Sequence, residues 1–169
     1  FFSTRAFHGV VSVLGGGVVF PRAGTYTISS TVLIPSNVTM CGEGVASVIK
    51  AVNGFSTTVN MIQNSDTVGG NTLINVRDIK IDGNYQNRTV VLSDEAGHNL
   101  MFKNVTYSSM RDIYSTQATG SGLCLAQGSN NNNVYGCIVT DSYNHNFLFI
   151  GTTDGSGRFN QTIRVHGTA

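Results

Sequence analysis

The run TDSYNHNF places Asp141, Tyr143 and His145 at alternate positions, and Asp154 follows after a Gly-rich bend. Residues two apart in an extended segment share one face, so a carboxylate, a phenol and an imidazole would stand together. Such a set could move protons as a general acid and base. It could equally line a sugar-binding surface with an aromatic platform, or be an ordinary polar turn. Asp112 is expected to face the same groove as Asp141 and His145 if the chain is an enzyme. Lys103 and Arg164 could neutralise an anionic substrate, or stand as solvated surface cations. Asp78 and Asp112 each follow an arginine, Arg77 and Arg111. Strand neighbours point to opposite faces, so these pairs read as solvated rim charges rather than ion pairs. Asp82, in KIDGN, reads as a turn aspartate accepting backbone N–H bonds beside Gly83. No Ser-His-Asp arrangement, phosphate loop or zinc motif is legible. A calcium ion would need several clustered carboxylates, and the nine acids are scattered.

The elements that would position these groups are very short. From Gly15 to Gly44 the runs Val18–Phe20, Tyr26–Ile28, Val32–Ile34 and Val38–Met40 are each cut off by Gly, Pro, Ser or Asn. The gaps are too short for the helix of a βαβ crossover. Short strands joined by steep corners suit a chain that coils and stacks each turn on the last. Further short runs follow at Val48–Lys50, Val59–Ile62, Leu100–Phe102, Leu123–Leu125 and Phe147–Ile150. Phrases of alternating apolar residues beside Asn, Gly, Ser or Asp recur at NVTMCGEG, NVRDIKIDGN, KNVTYSSM, YGCIVTDS and QTIRVHG. Aligning Val38, Ile79, Val105, Ile138 and Ile163 spaces them within the ~20–50 residues of a structural repeat. An excursion is expected around Asn64–Asn71. Phe1–Leu14 carries apolar residues at helix-compatible spacing before a Gly run that would stop a helix.

GGGVVFPRAGTY, TVLIPSNVTMCGEG and NVRDIKIDGN together resemble the opening coils of the pectate-lyase-like right-handed parallel β-helix superfamily. That superfamily includes pectate lyases, polygalacturonase-like hydrolases, alginate epimerases and phage tailspikes. The resemblance is close over Gly15–Asn84 and looser beyond. It implies an all-β, single-stranded right-handed parallel β-helix over 15–169, with 1–14 as a short capping helix, in one domain. It also implies action on a polysaccharide, uronate-containing by preference, as a lyase or a glycoside hydrolase. The alternative is a non-catalytic glycan-binding spike or adhesin segment, a homotrimer if a spike. If the chain is such an enzyme, the residues singled out above would be catalytic (Asp141, His145 and Asp112) or bind substrate (Tyr143, Lys103, Asp154 and Arg164). The YGxDPH run of the alginate epimerases is absent. No cofactor is required, although some pectate lyases use calcium. The setting implied is extracellular or virion-associated.

Composition agrees with an all-β chain. Of 169 residues, 20 are Gly and only 11% are charged, whereas helical surfaces are usually rich in Glu and Lys. The net charge of +1, with Lys and Arg dispersed, argues against a nucleic-acid partner. No apolar run approaches the ~20 residues of a membrane-spanning helix. No signal peptide is visible, so the chain reads as an internal fragment of a longer protein whose active site could lie elsewhere. Cys41, Cys124 and Cys137 show no metal-ligand spacing and read as buried thiols, with a Cys124–Cys137 disulfide as the alternative.

Overall fold

The computed structural model describes residues 15–89 and 96–151, and the backbone alone of 163–167. The expected helix over 1–14 and the Asp154 position lie outside the described residues. The described part is all-β: no α-helix occurs in it, and one 3-10 turn, Tyr85–Asn87, interrupts the strands.

Three parallel sheets share the strands. The first contains β1 (Gly17–Val19), β2 (Gly24–Ile28), β4 (Val38–Ala51), β7 (Asn75–Asp82), β10 (Ser109–Thr116), β12 (Asn133–Thr140) and β14 (Ile163–Gly167). The second contains β3 (Val32–Ile34), β5 (Ile62–Asn64), β8 (Leu100–Lys103), β11 (Leu123–Ala126) and β13 (Phe147–Phe149). The third pairs β6 (Asn71–Thr72) with β9 (Val105–Thr106). From β4 onward the chain visits the sheets in one order, β4–β5–β6 and then β7–β8–β9, and each pass pairs with the one before. Parallel strands need a long connection, and the strands of the other two sheets supply it.

Apolar side chains line up inside. In the first sheet Met40, Val76, Met110 and Val134 occupy one rung column and are buried. In the second, Val32, Ile62, Leu100 and Leu123 do the same. Each fully buried side chain of this size contributes ~1.5–3 kcal/mol relative to exposure. The observed register corrects the sequence alignment: Ile79 stacks on Ile113, whereas Val105 lies in the third sheet opposite Asn71. The expected run at Val59–Ile62 also shifts, since Val59 is exposed and the strand begins at Ile62. Phrases of similar composition arise at every corner, so composition alone does not say which corner is which.

The corners explain the Asn and Asp content. Asn37, Leu73, Tyr107 and Asn131 have positive φ, and backbone hydrogen bonds put them at one corner of successive coils. Gly70, Asn104 and Gly128 form a second left-handed column. Asp78, Asp112 and Gly136 form a third, and Gln117 and Asp141 a fourth. Asn and Asp tolerate this region better than most L residues.

This corrects the expectation for the Arg-Asp neighbours. A left-handed residue interrupts strand alternation, so Arg and Asp both emerge on the outer face. Arg77 pairs with Asp78, and Arg111 Nη2 lies 3.7 Å from Asp78 Oδ2. Arg111 Nε is 3.3 Å from Asp112 Oδ2, an ion-pair distance without hydrogen-bond geometry. Asp82 behaves as a turn aspartate: Asn84 N donates to its Oδ1 at 2.9 Å, and Lys50 Nζ sits 3.1 Å from Oδ2.

Buried asparagines tie coil to coil. Asn64 Nδ2 donates to Lys103 O while Lys103 N donates to Asn64 Oδ1, both at 2.9 Å. Asn99 Nδ2 reaches Thr116 O at 2.8 Å and Ser115 Oγ at 3.0 Å. All three cysteines are buried and no disulfide joins them, which removes the Cys124–Cys137 bridge. Cys124 and Cys137 lie on different sheets, with Cys137 facing the core. Burial pushes the Cys137 thiol up to about 11.

Candidate functional site: an outer groove on the second sheet

The short strands of the second sheet alternate strictly. Leu100 and Phe102 point inward, which turns Met101 and Lys103 outward. On this outer face lies an open cleft of about 500 Å³. Its floor carries Gln63, Met101, Lys103, Ala126 and Ile150, contributed by successive coils. Thr58, Val59 and Asn60, before β5, stand on one side, and Thr67, after β5, stands on the other. Five strands ~4.8 Å apart give the cleft a length of about 19 Å.

Its described lining is amide, hydroxyl and apolar, with Lys103 as the single formal charge. The Lys103 ammonium has no carboxylate within ion-pair distance among the described residues. Its backbone is clamped to Asn64, so the base of the side chain is fixed while the cation is free to meet an anion. Asn60 Nδ2 donates to Gln63 Oε1 at 2.8 Å, which orients both amides along the floor.

The Thr67 wall is the excursion expected around Asn64–Asn71. Asp66 organises it, accepting from Gly69 N at 2.7 Å and Val68 N at 3.0 Å. Those backbone donors, Gly69 foremost, hold the Asp66 carboxyl below its ordinary value. A depressed carboxyl favours the ordered loop above its unfolded value and loses that contribution as pH falls through the folded one. Acidification through the lower carboxylate range is therefore expected to speed hydrogen exchange at the Val68 and Gly69 amides. D66A should show the fast exchange already at neutral pH, and equal exchange in both chains would contradict the wall's dependence on Asp66.

The other residues singled out by sequence lie elsewhere. Asp112 is in mid-strand on the outer face of the first sheet. Asp141 follows the Thr116–Thr140 rung, five positions further along and about 16 Å away at ~3.3 Å per residue. Asp141 has φ 53°, so the TDSYNHNF segment is a corner rather than an extended strand. Asp141, Tyr143 and His145 are nonetheless all exposed on that one turn between β12 and β13. The His145 carbonyl accepts from Gly122 N at 3.0 Å, leading the chain into the second sheet. None of these side chains lines the cleft, and among the described candidates Lys103 alone does. Arg164 lies on β14 opposite Tyr135 in backbone register. Among the described residues no three His, Cys, Asp or Glu side chains converge where a metal could sit.

Gln63, Asn60, Met101 and Gln127 were not legible as site residues. Their only sequence signal was the inward-outward alternation of three- and four-residue strands. That alternation does not tell which of three outer faces is walled into a groove.

Comparison with known proteins agrees with this architecture. The N-terminal fragment of bacteriophage phi29 gene product 12 superposes with TM-score 0.75 at 22% identity, covering 83% of this chain and 26% of that one. The A-module of the Azotobacter vinelandii mannuronan C-5 epimerase AlgE4 gives TM-score 0.57 at 16% identity, covering 95% of this chain and 50% of that one. ORF18 of Geobacillus virus E2 gives TM-score 0.56 at 16% identity, covering 93% and 36%. The chain thus spans about a quarter of the phi29 structure and no more than half of the others. No curated protein matches it. A family model described as rhamnogalacturonase A/epimerase, pectate lyase-like, matches residues 2–168. The chain belongs to this pectate-lyase-like β-helix family.

Proposed function

We propose that the chain supplies coils of a right-handed parallel β-helix whose outer groove binds an extended acidic polysaccharide. The observation that carries this reading is Lys103, a cation with no carboxylate partner among the described residues, on the floor of a cleft that crosses the second sheet. A sugar chain running along the helix axis would meet equivalent outward side chains coil after coil. Amides and hydroxyls would exchange hydrogen bonds with its hydroxyls, and Lys103 would meet a uronate carboxylate. Met101 and Ala126 offer apolar surface to a ring face.

K103E is expected to weaken binding of polygalacturonate or alginate by about tenfold or more, since a charge-assisted hydrogen bond contributes ~1.5–3 kcal/mol. Affinity electrophoresis or calorimetry reads the change, and the salt dependence of binding should fall with it. Unchanged affinity for every acidic glycan tested would rule out the groove.

A second reading, a lyase or glycoside hydrolase, is supported by the family and by the joint exposure of Asp141, Tyr143 and His145 on one turn. In it His145 or Asp141 would exchange protons with the substrate, and Asp112 would serve a separate stretch of it. Ultraviolet absorbance of unsaturated products marks elimination, and new reducing ends without it mark hydrolysis. Loss of turnover in D141N or H145A would assign the corner. Turnover indifferent to both substitutions would exclude it. Two of the similar structures come from phages, which supports a virion-associated or extracellular setting; a homotrimeric spike is the assembly proposed for that setting.

A further inference from the structure

A second surface, on the corner where the first sheet ends, carries a different recognition chemistry. Asn84 is left-handed (φ 53°) and turns the chain out of β7 into Tyr85. Tyr85 N donates to Gln117 O at 3.1 Å, and Tyr143 N donates to Ala118 O at 2.9 Å. The two tyrosines thus belong to coils on either side of the Gln117–Ala118 segment. Ala118 is small and fully buried, which leaves rings two coil rises apart free to approach. They meet edge to face, with centroids 6.3 Å apart and planes at 61°. Tyr143 keeps 52% of its surface exposed and Tyr85 is half-buried, so the pair presents an aromatic patch to solvent.

Polar groups border that patch. Asp82, Thr116 and Thr140 share one rung across β7, β10 and β12. Thr140 Oγ1 donates to Thr116 Oγ1 at 3.2 Å, and Thr116 Oγ1 donates to Asp141 Oδ2 at 3.4 Å. Lys50 neutralises Asp82. The exposed Asp141 carboxylate has no cation within ion-pair distance among the described residues.

We propose that Tyr85, Tyr143 and Asp141 form a subsite for a neutral pyranose unit of a glycan. An aromatic face offers apolar contact at low conformational cost, which suits the C–H face of a sugar ring. The Asp141 carboxylate accepts from the ring's hydroxyls. Its charge, which no cation among the described residues compensates, repels a uronate, so this corner and the groove, where Lys103 stands, select opposite sugars. The subsite does not depend on the groove reading.

Nuclear magnetic resonance of the chain titrated with cellotriose, maltotriose, galactotriose and trigalacturonate tests both. At least one neutral trisaccharide is expected to shift the Tyr85 and Tyr143 ring resonances. Y143A should weaken that binding about tenfold, in line with ~1.4 kcal/mol per decade. Y143F should retain it, since the contact is made by the ring. Thermal unfolding of each variant confirms that it is folded. The inference falls if no neutral trisaccharide moves the rings, or if Y143A binds as tightly as the parent. It also falls if Y143F loses as much as Y143A, or if trigalacturonate binds the rings more tightly than the neutral sugars. The Met101 methyl resonance reports the groove independently, so either reading can fail alone.

Discussion

Arg88→Met is expected to lower the stability of the chain by about 3 kcal/mol, a large share of the ~5–15 kcal/mol typical of a domain. Arg88 is 7% exposed yet has no carboxylate within ion-pair distance among the described residues. Its guanidinium is spent on carbonyls: Nε donates to Phe55 O at 3.0 Å, Nη1 to Gly83 O at 2.8 Å and Nη2 to Ser56 O at 2.9 Å. It also sits over the Phe55 ring, 5.0 Å from the centroid, where a cation is attracted to the π face. Methionine fills similar volume but leaves those buried carbonyls without donors. Burial lowers the Arg88 value to about 10, so the group stays charged through the neutral range and the loss should be flat there. Thermal unfolding should shift down by about 6–12 °C for a chain of this size. An unchanged midpoint would mean that water replaces the guanidinium at no cost, and that the corner is not held by this side chain. Asn53–Ser56 and Gly83–Arg88 belong to adjacent coils, so hydrogen exchange should accelerate on both.

Gly83→Ala is the second large effect, and it tests how rigidly the coils are spaced. A Cβ at Gly83 would lie 2.1 Å from Gln117 O and 2.5 Å from Asn99 Oδ1. Neither atom can retreat. Gln117 O accepts from Tyr85 N, and Asn99 Nδ2 donates to Thr116 O and Ser115 Oγ on the next coil. The register of β7 on β10 fixes the separation. Overpacking of a fitted interior costs ~1–3 kcal/mol, and the close approach to the Gln117 backbone oxygen places this case at about 3 kcal/mol. Gly44→Ala is the control. Gly44 has φ +69° but open space around its Cβ position, so alanine there meets only the left-handed backbone penalty of ~1–2 kcal/mol. Equal effects at the two positions would show that backbone conformation, rather than coil spacing, dominates.

Much of the fold is local and hence was readable along the chain. The strands Val32–Ile34, Leu100–Lys103, Leu123–Ala126 and Phe147–Phe149 were legible nearly to the residue because a Pro, Asn or Gly follows each run within two residues. The turn role of Asp82 followed from KIDGN for the same reason. Lys103 was singled out from its place beside a recurring phrase, and the structure puts it in the groove. The left-handed character of Asp78, Asp112 and Asp141 was not legible. Aspartate is compatible with both an extended strand and a left-handed corner, and only the ladder above and below decides. For the same reason the pairing of Arg77 with Asp78 could not be read from the spacing.

The sequence alone determined the class of this protein: short β runs, steep polar corners, few charges, and motifs resembling the pectate-lyase-like β-helix family. These are properties of neighbours in the chain, and neighbours can be read one after another. The tertiary structure alone decided which residues share a rung, because register depends on hydrogen bonds between coils some tens of residues apart. It therefore decided that Met101, Gln63 and Gln127 join Lys103 in one groove, and that Asp112 stands apart from Asp141. It also brought Tyr85 against Tyr143 across an intervening coil, a meeting that no spacing along the chain encodes.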